Sequence, residues 1–304
     1  MQHFKIQGNS EWDGIRIDKF LSENIDFLSR SYIQKMIKEE NITVNGNIVK
    51  SKYCIKENDE ISFMIPENKE PEIEAENIPL DILYEDNDVI VVNKPKNMVV
   101  HPASGHYSGT LVNALLFHCK DSLSGINGIT RPGIVHRIDK DTTGSIIICK
   151  NDIAHESIAS QLKEHSITRR YRAICHGTLK EEEITINAPI GRHPTERKKM
   201  AINYKNGKEA ITHIKVLKYL KNSTYIECQL ETGRTHQIRV HMSSIGHPLM
   251  GDEQYCNLKN NLHLEGQTLH AYILGFEHPR TKEYIETLAP LPEYFEKLLI
   301  KLDQ

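Results

Sequence analysis

An acidic, proline-containing stretch near the amino end divides this chain into two parts of different character. Residues 66–78 contain two prolines and five glutamates, and their apolar side chains follow neither a helical nor a strand period. Such a composition is typical of an extended connection between packed units. Since 304 residues are enough for two domains, we predict a first domain over residues 12–66, a linker over 67–80 and a second domain over 81–304.

The first part of the chain carries the signals of a small α/β unit. Phe20 and Leu21 have the spacing of one short helix, and Ser29 or Ser31 can cap a second. The dipeptide Asn45-Gly46 lies between two short apolar runs, which is the pattern of a tight β-hairpin. We therefore predict a unit of two helices and a few short strands.

The second part of the chain is rich in strand patterns. Because long connections separate these strands and regular βα alternation is rare, we predict an α+β domain with a mainly antiparallel sheet flanked by helices. The predicted strands cover residues 89–92, 168–175, 210–220 and 224–230, and the predicted helices cover residues 109–119, a segment capped by Asn151, 235–245 and 291–302.

The composition argues against several classes of protein. The formal net charge of −3 gives no overall basic excess, so any binding to nucleic acid has to come from local basic clusters. No apolar run reaches the length of a membrane span, and the amino end lacks the apolar core of a signal peptide. The six cysteines are scattered without a Cys-x-x-Cys pair, as expected of reduced thiols and not of a zinc site. We therefore expect a cytoplasmic protein without a metal or a membrane contact.

The acidic residue Asp139 is the first candidate for chemistry. It lies between Arg137 and Lys140, after a turn signal at residues 131–133 and before an apolar run at residues 146–148. If residues 135–139 are extended, the side chains of Arg137 and Asp139 point to the same side. A carboxylate held near cations can act as a base, a ligand or a nucleophile, whereas an ion pair at a surface turn is the simpler interpretation. The residues alone leave both interpretations open.

A second candidate is the polar run at residues 230–241, at the start of a predicted helix. It carries two arginines and two histidines, which is more than a purely structural helix usually has. Arg239 can hold a carboxylate through two parallel hydrogen bonds. His236 and His241 are five residues apart and lack the arrangement of a His-Glu-x-x-His motif, which argues against a metal site.

Two basic clusters supply the local positive charge that the whole chain lacks. Tyr171 lies in a predicted strand between arginines, where it can pack across strands or stack on a nucleic-acid base. Arg192, Arg197 and Lys198 belong to a basic loop, which is either solvated surface or a clamp for phosphate groups.

Together these segments resemble the RluA family of pseudouridine synthases, and most closely its RluD-type members. The resemblance covers about residues 80–295, and its motifs follow one another in the family's order. They are Asn93-Lys94-Pro95, His136-Arg137-Ile138-Asp139, Arg170-Tyr171-Arg172-Ala173, Gly191-Arg192-His193-Pro194-Thr195 and Gly233-Arg234-Thr235-His236-Gln237-Ile238-Arg239-Val240-His241, followed by Gly251-Asp252 and Leu269-His270-Ala271. Residues 12–66 resemble the small RNA-binding fold named for ribosomal protein S-four, through Arg16-Ile17-Asp18-Lys19-Phe20-Leu21, Ser29-Arg30-Ser31 and Val44-Asn45-Gly46.

The resemblance implies an RNA isomerase. Asp139 would be the nucleophile that attacks a uridine flipped out of the RNA stack, at the ribose anomeric carbon or at the base. Tyr171 would pack on the uracil, Arg239 would pair with Asp139, and Arg137 would fill the space that the uridine leaves. The reaction needs no cofactor and no metal. The other residues expected to contact substrate or RNA are His136, Ile238, Lys94, Arg192, Arg197 and Lys198 in the second domain and Lys19, Arg30 and Lys35 in the first.

The resemblance also bears on the partner. RluD-type enzymes act on large-subunit ribosomal RNA, so we expect this RNA as substrate, also within assembling ribosomal particles, and a protein that acts as a monomer. Two alternatives are the same chemistry at another ribosomal or transfer RNA site, and a non-catalytic RNA-binding protein of ribosome assembly. A glycosyl-cleaving hydrolase would need a second carboxylate, and Asp141 lies too close to Asp139 along the chain to flank one bond with it.

Overall fold

The computed structural model of the protein describes residues 2–25, 28–65, 73–102, 106–120, 122–128, 131–196, 198–259 and 262–304. Its contacts divide the chain into two units, Met1–Glu70 and Pro71–Gln304. The first part of the predicted linker, residues 67–72, lies outside the described residues.

The first unit combines two helices with a small antiparallel sheet. Its elements are β1 (Gln2–Gln7), α1 (Ile17–Asn24), α2 (Arg30–Lys38), β2 (Ile42–Val44), β3 (Asn47–Ile48) and β4 (Glu60–Ile65). The strands are ordered β1-β4-β2-β3. Both helices bury one apolar face against the sheet, with Phe20, Ile33 and Met36 at most 2% exposed. The observed unit therefore has the predicted helices and strands.

Local signals explain where these elements begin and turn. The Ser29 hydroxyl accepts a hydrogen bond from the Tyr32 amide at 3.3 Å, so Ser29 is the residue that caps α2. Asn45 and Gly46 both have positive φ, at 50° and 77°, as a two-residue type I′ hairpin requires. The predicted second helix and the predicted hairpin are confirmed.

The buried carboxylate of Asp18 ties the two helices of the first unit together. Asp18 lies in the first turn of α1 and accepts hydrogen bonds from the side chains of Arg16, Arg30 and Gln34. Burial alone would raise the pKa of Asp18, but these donors outweigh it and lower the pKa to about 2. Arg16 and Arg30, which belong to motifs of the RNA-binding resemblance, therefore also stabilise the first unit itself.

The second unit is built on a nine-stranded sheet. The strands of this unit are β5 (Ile82–Glu85), β6 (Val89–Lys94), β7 (Thr143–Cys149), β8 (Thr168–His176), β9 (Glu183–Asn187), β10 (Ile190–Arg192), β11 (Met200–Ile202), β12 (Ile211–Leu220), β13 (Ser223–Leu230), β14 (Leu269–Glu277) and β15 (Tyr284–Leu288). The sheet order is β5-β6-β7-β14-β8-β13-β12-β9, with β15 on β14, while β10 and β11 form a separate hairpin. Among the described strands only β7 and β14 pair in parallel, which confirms an α+β fold with a mainly antiparallel sheet.

The described residues of the second unit also form four α-helices, namely α3 (Leu111–Cys119), α4 (Asp152–Lys163), α5 (Gln237–Ser244) and α6 (Glu293–Leu302). Asn151 caps α4 as predicted, because its side chain accepts the Ala154 amide hydrogen bond. Helix α5 begins two residues later than expected, since His236 takes a left-handed backbone conformation. In the described part of the chain, no helix combines the length and apolarity that crossing a bilayer requires.

The central strand β7 positions the loop that precedes it. Every residue of β7 is buried, and its side chains enter apolar clusters on both faces of the sheet. At Gly144 the β14 backbone comes so close that a Cβ atom would lie 2.3 Å from the Ala271 carbonyl oxygen, so only glycine fits there. This close pairing fixes residues 139–142 at the end of the sheet, next to β8 and β14.

Candidate active site

Asp139 lies in the loop that leads into β7, and the surrounding structure holds this loop at several points. The Asp139 carbonyl accepts the Thr142 amide hydrogen bond at 3.1 Å. The Thr142 hydroxyl accepts a hydrogen bond from Gln267 at 3.0 Å. The Asp139 side chain is 18% exposed, so most of it is shielded from solvent while part stays accessible.

Arg239 on α5 holds one oxygen of the Asp139 carboxylate. Its guanidinium donates to Asp139 Oδ2 at 2.8 Å, and its side chain is 6% exposed. The structure thus brings together two residues that the resemblance pairs and that lie 100 positions apart. Burial lowers the pKa of Arg239, but the two carboxylates of Asp252 and Asp139 outweigh it and raise this pKa above the usual arginine value.

Asp252 orients Arg239, and the sequence analysis did not give it a role. Its two oxygens accept hydrogen bonds from Arg239 Nε and Nη2 at 2.7 and 2.9 Å, a two-pronged contact that fixes the plane of the guanidinium. Asp252 Oδ1 also accepts the backbone amides of Gln254 and Tyr255. The Gly251-Asp252 motif was visible in the sequence, but its contact with Arg239 depends on the fold.

A narrow cleft opens in front of Asp139 and joins a cavity of about 310 Å³. Tyr171 on β8 and Ile238 on α5 line the cleft, and both side chains are less than 9% exposed. Burial raises the pKa of Tyr171, which keeps its phenol protonated at neutral pH. Arg137 is exposed and lines both the cleft and the cavity. The predicted catalytic residues therefore meet in one place.

Among the residues predicted to contact RNA, Lys94 has a different role. Its side chain is fully buried, and Nζ donates hydrogen bonds to the carbonyl oxygens of Pro95, Met98 and Lys140 at 2.8–2.9 Å. Burial lowers the pKa of Lys94 to about 7, against the attraction of the nearby Asp141 and Asp139 carboxylates. The prediction that Lys94 contacts substrate or RNA is wrong, because its amino group lies inside the domain and fixes the loop beside Asp139.

His136 also serves the interior of the domain. Its Nε2 accepts a hydrogen bond from the Ile147 amide at 3.1 Å, which ties the loop to β7. Burial and, secondarily, the charge of Arg169 lower the pKa of His136 to about 3, so its ring is neutral. A contact between His136 and RNA stays a prediction.

Two of the three basic loop residues, Arg192 and Lys198, are described by the structure. Arg192 ends β10 and Lys198 lies just before β11, and both are exposed, whereas Arg197 lies outside the described residues. The hairpin that carries them is tied to the cleft, since the Met200 amide donates to the Tyr255 hydroxyl and Tyr255 in turn contacts His236. Their binding to phosphate groups stays a prediction.

The three basic residues predicted in the first unit are exposed but not equivalent. Lys19 and Lys35 each lie 3.8 Å from a glutamate one turn further along the helix, a weak surface contact. Arg30 donates to the buried Asp18, so its guanidinium is already engaged. RNA binding by these side chains is untested by the structure.

Two groups of side chains outside the cleft have the chemistry of metal ligands. Each group lies near the start of β6 or the edge strand β5. Most of the atoms that could bind a metal in these groups already make hydrogen bonds within the protein. In the described part of the chain these groups are Asp86, Asp88 and His278, and Glu85, His118 and Cys119. The cleft around Asp139 contains no such group among its described residues.

Comparison with known proteins gives two family matches. Residues 88–244 match the family described as RNA pseudouridylate synthase, and residues 15–61 match the S4 domain.

Similar proteins cover nearly the whole chain. The uncharacterized RNA pseudouridine synthase YlyB of Bacillus subtilis (strain 168) is 50% identical over 302 residues, 99% of each chain. The ribosomal large subunit pseudouridine synthase D of Zymomonas mobilis is 45% identical over 96% of this chain and 95% of its own. Among solved structures, human RNA pseudouridylate synthase domain containing 1 is 28% identical with a TM-score of 0.58, over 72% of this chain and 86% of that one.

Proposed function

We propose that this chain, which belongs to the RNA pseudouridylate synthase family, converts uridine to pseudouridine in large-subunit ribosomal RNA with Asp139 as nucleophile. Members of this family are isomerases that act on RNA, so the class of reaction follows from the membership. The observation that supports the role of Asp139 is its carboxylate at the cleft, held through Oδ2 by Arg239 at 2.8 Å. The relative from Zymomonas mobilis, which is named for the large ribosomal subunit, supports the choice of RNA.

The two oxygens of Asp139 suit a nucleophile that must attack and then leave. Arg239 binds Oδ2, so Oδ1 keeps a lone pair for the reacting carbon. In attack at the ribose, Oδ1 bonds to the anomeric carbon while the glycosidic bond breaks and its electron pair goes to uracil N1. The uracil then turns, its C5 bonds to the same carbon, and Asp139 leaves with its electron pair. C5 loses a proton and N1 gains one, so the reaction is an isomerisation without any oxidant.

Tyr171 and Ile238 form the walls between which the uracil turns. The Tyr171 ring offers a flat face on which a base can stack, which is worth about 1–3 kcal/mol, and Ile238 adds apolar contact. Because burial raises the pKa of Tyr171, its hydroxyl remains a hydrogen-bond donor toward the uracil while the base reorients. Arg239 keeps Asp139 in place throughout, since Asp252 fixes the guanidinium from the other side.

The uridine has to leave its stack to reach this cleft. Flipping costs a few kcal/mol, and less from a loop or bulge. Arg137 is exposed at the mouth of the cleft, where it can occupy the vacated position. Arg192 and Lys198 can offset the remaining cost through contacts with phosphate groups. The six free cysteines are consistent with a reducing, cytoplasmic location for such an RNA-modifying protein.

The substitution Asp139→Asn tests the role of the nucleophile. The amide keeps the shape of the carboxylate and still accepts a hydrogen bond from Arg239, but it is a poor nucleophile. We expect no pseudouridine in large-subunit ribosomal RNA transcribed in vitro, as read by chemical mapping, while filter binding shows unchanged RNA affinity. Asp303→Asn is the matched control, because Asp303 is a half-exposed carboxylate that pairs with Lys218.

Wild-type activity of the Asp139→Asn protein would exclude this residue as nucleophile. The RNA target is tested separately, by mapping pseudouridine in RNA from cells that lack the protein. Loss of a modification from large-subunit ribosomal RNA supports the proposed substrate, and loss from transfer RNA alone contradicts it.

A further inference from the structure

A chain of polar contacts leads from the β10–β11 hairpin to the second oxygen of the catalytic carboxylate. The Met200 amide lies 2.8 Å from the Tyr255 hydroxyl oxygen. That oxygen lies 2.7 Å from His236 Nδ1, and His236 Nε2 faces Asp139 Oδ1 at 3.6 Å. His236 belongs to a motif of the family resemblance, but the resemblance gave no role to His236 or Tyr255 and the mechanism above uses neither, so their role has to be argued from this geometry.

The far end of this chain favours one direction for its hydrogen bonds. A backbone amide can only donate, so the Met200 N–H occupies a lone pair of the Tyr255 oxygen. The hydroxyl proton of Tyr255 remains available for His236 Nδ1, 2.7 Å away, and we infer that this nitrogen accepts it. A neutral imidazole whose Nδ1 accepts carries its proton on Nε2. In this tautomer the nitrogen that faces Asp139 is an N–H donor.

The surroundings keep His236 neutral. Its side chain is 16% exposed, and burial is the main cause that lowers the pKa of His236. The charges of Arg239 and Arg137 lower this pKa further, against the opposing charges of Asp139 and Asp252. A neutral ring gives Asp139 a donor without neutralising the carboxylate that has to attack.

The backbone conformation at His236 determines where its side chain points. His236 is in the left-handed region, with φ 57° and ψ 22°, although it is not glycine. Its side chain makes no capping hydrogen bond to α5. The neighbouring Gln237 side chain holds the turn instead, since it accepts hydrogen bonds from the Arg234 amide and the Thr232 hydroxyl. The conformation turns the imidazole toward the cleft and Tyr255.

We propose that His236 is a positioning residue for Asp139, and that Tyr255 and the Met200 amide select the tautomer in which it can act. This inference rests on the proposed function of Asp139. Arg239 fixes Oδ2, and the His236 N–H directs Oδ1 toward the reacting carbon. The separation of 3.6 Å exceeds a hydrogen bond by a few tenths of an ångström, and catalytic contacts of this kind commonly shorten when substrate is bound.

Two substitutions at position 236 separate donation to Asp139 from mere packing. Asparagine tolerates the left-handed backbone but is too short to reach Asp139. Glutamine places an amide N–H where Nε2 lies. We expect His236→Asn to slow single-turnover pseudouridine formation in transcribed large-subunit ribosomal RNA by about tenfold to a hundredfold, with unchanged RNA affinity, as for loss of a hydrogen bond to a charged group. We expect His236→Gln to recover most of the rate.

A measurement without RNA tests the tautomer directly. In protein labelled with ¹⁵N-histidine, the ring of His236 is identified by its absence from the His236→Asn spectrum. We expect the proton on Nε2 in the wild type. Tyr255→Phe keeps the ring that lies 5.0 Å from the Arg239 guanidinium but removes the hydroxyl, so we expect a mixture of both tautomers and a smaller loss of rate.

Three results would overturn the proposal. They are a wild-type His236 protonated on Nδ1, a wild-type rate for His236→Asn, and a His236→Gln protein as slow as His236→Asn. Because the tautomer is measured without substrate, a protein that makes no pseudouridine in this RNA contradicts the proposed function and leaves the spectroscopic test of His236 intact.

Discussion

The substitution Asp252→Asn should disrupt the two-pronged hydrogen-bonded contact that orients the Arg239 guanidinium. The change removes one negative charge and hardly alters the volume of a fully buried side chain. The asparagine oxygen can keep the two backbone amide hydrogen bonds that Asp252 Oδ1 accepts. The new NH₂ group then faces Arg239 Nε, so two donors meet where a charged hydrogen bond of 2.7 Å existed.

The expected loss of stability follows from what remains around Arg239. Breaking a buried ion pair from one side costs about 3–5 kcal/mol. Arg239 keeps Asp139 at 2.8 Å and Gln254 at 3.0 Å as acceptors, so the lower end applies, about 3 kcal/mol. For a unit the size of Pro71–Gln304 this corresponds to a melting temperature lower by about 6–12 °C. Because Arg239 no longer has a fixed plane, we also expect slower pseudouridine formation.

Thermal unfolding followed by calorimetry, together with single-turnover kinetics on large-subunit ribosomal RNA, measures both effects. Asp303→Asn serves as the control, since its exposed pair with Lys218 should contribute less than about 1 kcal/mol. A double variant with Arg239→Met should lose less than the sum of the two single variants, because both disrupt one pair. An Asp252→Asn protein that melts and reacts like the wild type would refute this account of Arg239.

Two further predictions concern buried charges elsewhere. Lys94→Met leaves three carbonyl oxygens without their hydrogen-bond donor, at a cost of about 1 kcal/mol each, so we expect a lower melting temperature. Because one of these oxygens belongs to Lys140, next to Asp139, we also expect slower pseudouridine formation. An unchanged melting temperature together with an unchanged rate would contradict the role of Lys94 as an anchor of this loop. The pKa of Asp18 is lowered from 3.8 to about 2 in the folded chain. The ionised carboxylate therefore stabilises the folded state above about pH 4, and this stabilisation is lost as the pH falls toward 2. In circular-dichroism melts between pH 5 and pH 2, the melting temperature of the wild type should therefore fall more steeply than that of Asp18→Asn. The same pH dependence in both proteins would contradict the stabilising role of the ionised Asp18 carboxylate.

Several elements could be predicted because their signals are local. Ser29 and Asn151 each accept an amide three residues ahead, and Asn45-Gly46 adopts the two positive φ angles that its side chains tolerate. These contacts involve neighbours in the chain, so the sequence contains all the information that they need. The antiparallel character of the large sheet was also predictable, from the long connections between its strands.

The site could be predicted as a set of residues but not as an arrangement. Asp139, Tyr171 and Arg239 followed from motifs in a known order, while the partner that fixes Arg239, the carboxylate of Asp252, had no role at that stage. Lys94 belonged to a family motif and appeared available to RNA, yet the fold buries it against the loop next to Asp139.

The sequence by itself determined the fold class, many of the helices and strands, and the residue types that can perform the chemistry. Only the tertiary structure decided which charges are buried, which oxygen of Asp139 is bound and which nitrogen of His236 faces it. The physical reason is that the exposure and hydrogen-bond partners of a side chain depend on segments far away in the chain. Arg239 meets Asp139 across 100 residues, and only the folded arrangement of α5 and the loop before β7 brings them within hydrogen-bond distance.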